Sequence, residues 1–295
     1  MEEFGKGLVV EPFLATVVLF GGLLQKAGTP EQQAEYIPKV IDGSCQGAFA
    51  YIERQSRYET ADVKTTAVTS GDRVTLNGEK VMVMNGANAG HFIVSARTSG
   101  EQSDESGISL YLVPADASGL ERVSYRMMDG QLVANVTLKD VTVPAANLVG
   151  DLNAGHAQIE DLALDAKIAV AAEALGIMGE LNSKTLEYTK TREQFGVAIG
   201  SFQALQHRMV DTFMAYEQTK SILYRALCIA EEEGGDVASA VHALSVMTDK
   251  NSRLILAEAI QLHGGMGMTD ELDIGHYAKR LMMLNTLFGS GDYHQ

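Results

Sequence analysis

Two cysteines, Cys45 and Cys228, are all that the 295 residues contain. They lie far apart, so neither a disulfide framework nor a thiolate zinc site can be built from them, and a reducing cytoplasmic compartment is expected. Positive charge is scarce too: 23 Lys and Arg stand against 38 Asp and Glu, a net charge of −15. A chain this acidic is repelled by phosphate backbones and anionic lipid, which argues against nucleic-acid and membrane-surface binding. One local basic pocket for an anionic ligand is still compatible with that balance. Long apolar runs are missing as well. The stretch Leu8 to Leu24 is broken by Glu11-Pro12 and Gly21-Gly22 and preceded by Glu2-Glu3. It has neither the basic start of a signal peptide nor the unbroken ~20 residues of a membrane span, and reads as buried helix.

Several chemical signatures are absent. The seven histidines show no His-x-x-x-His or Glu-x-x-His pair facing one way, so a transition-metal site is not expected. No Gly-x-Ser-x-Gly elbow, no Gly-x-x-x-x-Gly-Lys loop and no Rossmann fingerprint occur. What is present is ordinary globular composition, 46% apolar and 21% charged, in a chain long enough for about two domains.

The hydrophobic period changes twice along the chain. Residues 1–45 read as helices, with Thr29-Pro30-Glu31-Gln32 as a start signal in which Thr29 caps, Pro30 takes the first helical position and Gln32 reaches back. Tyr36, Ile37, Val40 and Ile41 follow at helical spacing, and Gly43 closes the segment. Residues 46–150 read as short strands: Val74–Leu76, Val81–Met84, Phe92–Val94, Ser109–Val113 and Ala134–Leu138. Asn77-Gly78 between the first two predicts a hairpin turn. The spacing predicts a compact antiparallel β-barrel or sandwich. Residues 151–295 return to the helical period, without a single proline after Pro144. Helices are predicted over 156–189, 202–232, 237–263 and 272–287, which would make an antiparallel four-helix bundle. The expected fold class is therefore α+β and multidomain: an N-terminal helical segment, a middle β domain and a C-terminal bundle.

Two glycine-bearing segments stand out. Thr191 to Gly196 and Ser201 to His207 join two predicted helices, and Gln261-Leu262-His263-Gly264-Gly265-Met266-Gly267 ends another. The second has a plain reading as a helix C-cap, because glycine supplies the left-handed residue a helix end favours. It has another: a glycine pair bares the backbone, so a flat or phosphorylated ligand can approach the main-chain N–H groups.

Arg192-x-Gln194-Phe195-Gly196, then Phe202-Gln203-x-x-Gln206-His207, then Gln261-x-x-Gly264-Gly265-x-Gly267, resemble the bundle-domain signatures of the acyl-CoA dehydrogenase family. Asn77–Lys80, Asn85-Gly86 and Ala96-Arg97-Thr98 resemble its middle domain, and Gly28–Gln32 its inter-domain helix. The resemblance covers nearly the whole chain in order. It implies an FAD flavoprotein of fatty acid metabolism that removes two hydrogens from the α and β carbons of an acyl-CoA thioester and passes electrons to an acceptor. In that family the bundle residues reach the FAD of a neighbouring subunit, which implies an oligomer. Arg192 would bind the pyrophosphate, with Gln203 and Gln261 on ribose or adenine edges and Gln194, Phe195, Gly264 and Gly265 beside them.

The chain also departs from the family. Only about 45 residues precede the strands, which implies that the family's first helices are missing. Where the family reads Tyr-Cys-Val-Thr-Glu-Pro-x-Ala-Gly-Ser-Asp, this chain reads Phe49 to Glu59. Tyr51 and Ile52 then stand at the flavin side, with Met82 and Met84 where Trp and Thr are common. The largest departure concerns the carboxylate that takes the α proton. Counting without a gap from Glu271 places Phe288 at the usual Glu position. The first bundle helix then offers Asp165, with Asp161 and Asp292 as weaker substitutes, and Lys167 where the family often has a substrate-side arginine. Leu287 to His294 resembles the small subunits of pimeloyl-CoA-type dehydrogenases, which accompany a larger chain. The leading expectation is an acyl-CoA dehydrogenase, active alone or in a heteromer. The alternative is a catalytically degenerate subunit that supports a larger dehydrogenase chain.

Overall fold

A computed structural model describes residues 1–295. The chain forms two compact units: Glu11–Ala166, and Met1–Val10 together with Lys167–Gln295. Seven α-helices and ten strands are present. None of the helices is long and apolar enough to cross a membrane.

The first unit begins with a π-helical stretch, Leu14–Gly21, and helices α2 (Gly22–Ala27) and α3 (Pro30–Ile41). The capping box read from the sequence starts α3. Thr29 Oγ1 accepts from the Gln32 N–H at 3.3 Å, and Gln32 Oε1 accepts from the Thr29 N–H at 3.1 Å. Tyr36 and Val40 are buried, while Ile41 turns outward. The π-helical stretch docks on the first strand at a glycine: a Cβ on Gly47 would stand 2.2 Å from the Phe20 ring.

Eight strands follow: β1 (Gly47–Ala50), β2 (Thr66–Ser70), β3 (Arg73–Met84), β4 (His91–Arg97), β5 (Ile108–Pro114), β6 (Leu120–Arg126), β7 (Leu132–Pro144) and β8 (Leu148–Val149). They form one sheet in the order β6-β7-β3-β2-β4-β5-β8, with β1 parallel to β4. The path has two free ends, so the sheet does not close into the predicted barrel. Strands β4 and β5 are buried almost throughout, which is why they read as continuous apolar runs rather than alternating ones.

The predicted Asn77-Gly78 hairpin is not a turn. Both residues lie inside the twelve-residue β3, and the β2–β3 turn sits at Gly71-Asp72 instead. The pairing of β3 with β7 shifts register between Leu76 and Gly78, as a β-bulge does. Gly78 is required there because a Cβ would meet Thr65 Oγ1 at 2.4 Å. The Asn77 side chain is committed across the sheet, donating to Asp140 Oδ1 at 3.0 Å and accepting from the Asp140 N–H at 2.8 Å. An Asn-Gly pair suits a bulge under a crossing strand as well as it suits a tight turn.

The second unit is helical. Short α1 (Glu2–Lys6) packs against α4 (Gly155–Thr191, whose first turns belong to the other unit) at a backbone contact so close that a Cβ on Gly176 would stand 2.0 Å from the Glu2 carbonyl. A two-residue ladder, β9 (Glu193–Gln194) and β10 (Val197–Ala198), leads to α5 (Gln203–Glu231). Helix α6 (Val237–His263) is capped by Asp236, whose Oδ1 accepts from the Ser239 N–H at 3.1 Å. A 3₁₀ turn, Gly264–Met268, precedes α7 (Ile274–Leu284), which is shorter than the predicted 272–287.

Candidate functional site

In the helical unit the two glycine-bearing segments converge. Tyr188, one turn before Arg192 at the end of α4, stacks on His263 at the end of α6, with ring centroids 4.4 Å apart. His263 is itself fixed by a 2.7 Å hydrogen bond between Nδ1 and the Ala259 carbonyl. The stack brings the Arg192–Gly196 loop and the Gly264-Gly265 turn to one end of the unit. Gly264 ends α6 with φ of +59°, so the helix-end reading of that glycine holds. The other reading is compatible with it, since a Cβ on either Gly264 or Gly265 would meet nothing within 4 Å.

The side chains around this turn face solvent. Arg192, Gln194, Gln203 and Gln261 are exposed. Phe195 is 93% exposed, held at φ of +57° in the β9–β10 connection, and meets Phe202 edge-on at 6.2 Å. Exposing a phenyl ring this fully is unfavourable unless something else covers it. The Arg192 guanidinium has no carboxylate partner within the chain. A planar, always charged donor group suits a pyrophosphate.

In the sheet unit the other predicted residues gather around a second bulge. Met82 has φ of +53° between the β3 residues that pair with Val136 and Ala134, and it is 38% exposed. The Val81 N–H donates to the Ile52 carbonyl at 2.9 Å, which sets Tyr51 and Ile52 beside Met82. Tyr51 stacks on Phe49 at 4.8 Å and is half-buried, as are Ile52 and Met84.

Beneath this surface lies a feature that the sequence reading missed. Glu53 and Lys80 form an ion pair of 2.7 Å whose side chains are 3% and 0% exposed. Glu53 also accepts from the Lys64 and Thr65 N–H groups, at 2.8 and 3.0 Å, and from Gln55. Lys80 donates to Ser95 Oγ at 3.0 Å. Burial pushes the Glu53 carboxyl up, but the Lys80 charge and the converging donors outweigh it and hold the group down at about 2. The pair anchors the segment that carries Tyr51 and Ile52. Both residues lay inside stretches already singled out, yet no spacing rule links positions 27 residues apart.

The predicted base residues are dispersed. Asp165 is 51% exposed and shares the Lys26 ammonium with Asp161, both at 2.7 Å. Asp292 is exposed, and Phe288 is half-buried with φ of +58°. Lys167, by contrast, is 9% exposed and lines a cavity in the helical unit. No cluster of His, Cys, Asp or Glu could hold a metal ion.

Comparison with known proteins gives the chain its family. The acyl-CoA dehydrogenase middle domain matches residues 48–141, and the acyl-CoA dehydrogenase C-terminal domain matches residues 153–295. The chain belongs to the acyl-CoA dehydrogenase family. It is 32% identical over 279 residues to a probable acyl-CoA dehydrogenase of Bacillus subtilis, covering 93% of this chain and 73% of that protein. It is 29% identical to the short-chain specific acyl-CoA dehydrogenase of Megasphaera elsdenii, over 90% of this chain and 70% of that one. Among solved structures, butyryl-CoA dehydrogenase of Megasphaera elsdenii superposes with a TM-score of 0.93 at 25% identity, covering 99% of this chain and 78% of the other. The FAD complex of PigA gives 0.93 at 26% identity over the same shares. FAD is the cofactor of this oxidoreductase family, and the Arg192 and Gly264-Gly265 surface fits it: a cation for the pyrophosphate and two glycines with open space before them.

Proposed function

We propose that this chain performs the flavin-dependent α,β-dehydrogenation of an acyl-CoA thioester. The observation that carries the reading is the convergence of Arg192 with the Gly264-Gly265 turn, held by the Tyr188–His263 stack. FAD, when bound, supplies the two-electron oxidant. The residues of this chain hold and orient it. Arg192 neutralises the pyrophosphate, Gln203 and Gln261 meet ribose or adenine edges, Gln194 and Phe195 flank them, and the Gly264-Gly265 backbone admits the ligand closely. On the sheet side Tyr51, Ile52, Met82 and Met84 face the flavin, chiefly through main-chain groups, because the Ile and Met side chains offer no hydrogen bonds. Lys167 acts on the substrate side. Asp165 is the base that the sequence offers, and loss of turnover in Asp165→Asn would support it.

The cofactor surface is completed by a neighbouring subunit. Besides Phe195, helix α5 exposes Val210, Phe213, Met214, Tyr224 and Leu227 at helical spacing, an apolar stripe suited to a partner. The partner is a second copy or a larger dehydrogenase chain, as for pimeloyl-CoA-type small subunits, and a separate acceptor takes the electrons. We read α4 to α7 as an antiparallel bundle and the compartment as cytoplasmic, in line with the two unpaired cysteines. A catalytically degenerate subunit is the second reading, favoured by Phe288. The test is the anaerobic addition of acyl-CoA thioesters of graded length to flavin-loaded protein. Bleaching of the flavin supports catalysis, and bound flavin that no thioester bleaches supports the degenerate subunit.

A further inference from the structure

The buried Glu53–Lys80 pair sits at the neck of a loop. Glu53 accepts from the N–H groups of Lys64 and Thr65 at 2.8 and 3.0 Å, which brings the two ends of residues 53–65 together. Within the loop the chain is folded on itself. Ser56, 5% exposed, donates its hydroxyl to the Glu53 carbonyl and accepts from the Glu53 N–H, both at 3.0 Å. The Glu59 N–H donates to the Ser56 carbonyl at 2.7 Å. The far side is pinned as well: Thr60 bonds to Glu160, and the Ala61 carbonyl accepts from Arg97 at 2.7 Å. A loop with joined ends and its own internal hydrogen bonds presents its outer side chains from a fixed backbone.

One of those side chains is Arg57. It is exposed, and its backbone has φ of +48°, a conformation that glycine adopts freely and an L side chain only at a cost. The family pattern set against Phe49 to Glu59 in the sequence has glycine at this position. The chain thus keeps a backbone shape that suits glycine and mounts a guanidinium on it, an outlier of the kind that marks functional segments. Neighbouring Arg54 is paired with Glu79 at 3.1 Å, whereas Arg57 meets no carboxylate of the chain. A protein of net charge −15 repels anions as a whole, so an anionic ligand needs a local cation such as this one. The loop also continues directly from Tyr51 and Ile52, the residues that face the flavin in the proposed function.

We propose that Arg57 is a substrate-recognition residue that binds an oxyanion of the thioester, a phosphate of its coenzyme A part or a carboxylate at the far end of its acyl chain. This deepens the acyl-CoA dehydrogenase reading and rests on it. Both groups present paired oxygens that a planar guanidinium meets with two parallel N–H donors. Arg57 acts on binding and takes no part in the transfer of hydrogen.

Thioether analogues, which bind without being oxidised, separate the two sources. S-hexyl-coenzyme A carries the phosphates alone, S-(ω-carboxypentyl)-pantetheine carries the carboxylate alone, and S-hexyl-pantetheine carries neither. Their dissociation constants are measured by calorimetry on flavin-loaded protein, with flavin retention and melting temperature alongside. Arg57→Gly removes the guanidinium and relieves the backbone, so the variant folds like the wild type. Its affinity falls at least about tenfold for the coenzyme A analogue if a phosphate is bound, or for the carboxypentyl analogue if a carboxylate is bound. For S-hexyl-pantetheine it stays unchanged. Arg57→Lys keeps the charge without the planar fork and retains part of the affinity. Wild-type affinity of Arg57→Gly for both charged analogues overturns the proposal. So does an equal loss on the uncharged one, which marks a structural role. Wild-type protein that binds none of the three overturns it too, and if no thioester bleaches the flavin either, the functional reading falls with it.

Discussion

The polar groups of the two units are handled in opposite ways. In the sheet unit, Glu53 and Lys80 are buried and surrounded by donors and acceptors that satisfy them. In the helical unit, Arg192 and the Gly264-Gly265 turn are exposed and left open. A satisfied buried pair has nothing left with which to bind a ligand, so it acts on the fold. An open guanidinium at a helix end adds little to the fold, and in the proposed function its interactions serve the cofactor. Substitutions in the two places should therefore separate stability from cofactor binding.

The largest effect is expected from Lys80→Met. It strands a buried carboxylate, a change that typically costs about 3–5 kcal/mol, and denaturant unfolding should show that loss. Unchanged stability would mean that Glu53 escapes to solvent and that the pair is not the anchor of the 51–65 segment. Next comes Arg192→Ala, expected to weaken FAD binding by about 1.5–3 kcal/mol in a flavin titration while the flavin-free melting temperature stays put. A fall in both would break the contrast between the units. Acid sharpens it further. Glu53 has its folded pKa held at about 2, below its ordinary value of 4.5. Its contribution is therefore complete above pH 4.5 and lost as pH falls towards 2, on the order of 2 kcal/mol. In Lys80→Met the same descent should instead recover part of the lost stability, because burial without the ammonium favours the protonated Glu53 carboxyl. The smallest effect is expected from Thr29→Ala. It removes half of the capping box and should cost about 1 kcal/mol of thermal stability without touching flavin retention.

How far the sequence reveals all this depends on the range of the interaction. The α3 cap involves residues three apart, and it forms as read. The strands at Phe92–Val94 and Ser109–Val113 and the long helices announce themselves by period alone. Asn77-Gly78 misleads because local turn chemistry is silent about the strand carrying Asp140, 63 residues on, which turns the pair into a bulge. Likewise the barrel reading assumes closure, a property of how the edge strands β6 and β8 end rather than of any one segment. The convergence of Arg192 with Gly264 could be inferred only through a family resemblance, because the Tyr188–His263 stack spans 75 residues. The Glu53–Lys80 pair and the burial of Asp249 left no local signal. A carboxylate that ends up 8% exposed looks, in sequence, like any acid on a polar helix face.

The most direct test of the account is the visible spectrum of the purified protein before and after an acyl-CoA thioester is added without oxygen. The account predicts a yellow protein whose flavin absorbance falls when the thioester binds and is oxidised. A protein that stays colourless after incubation with FAD would contradict it.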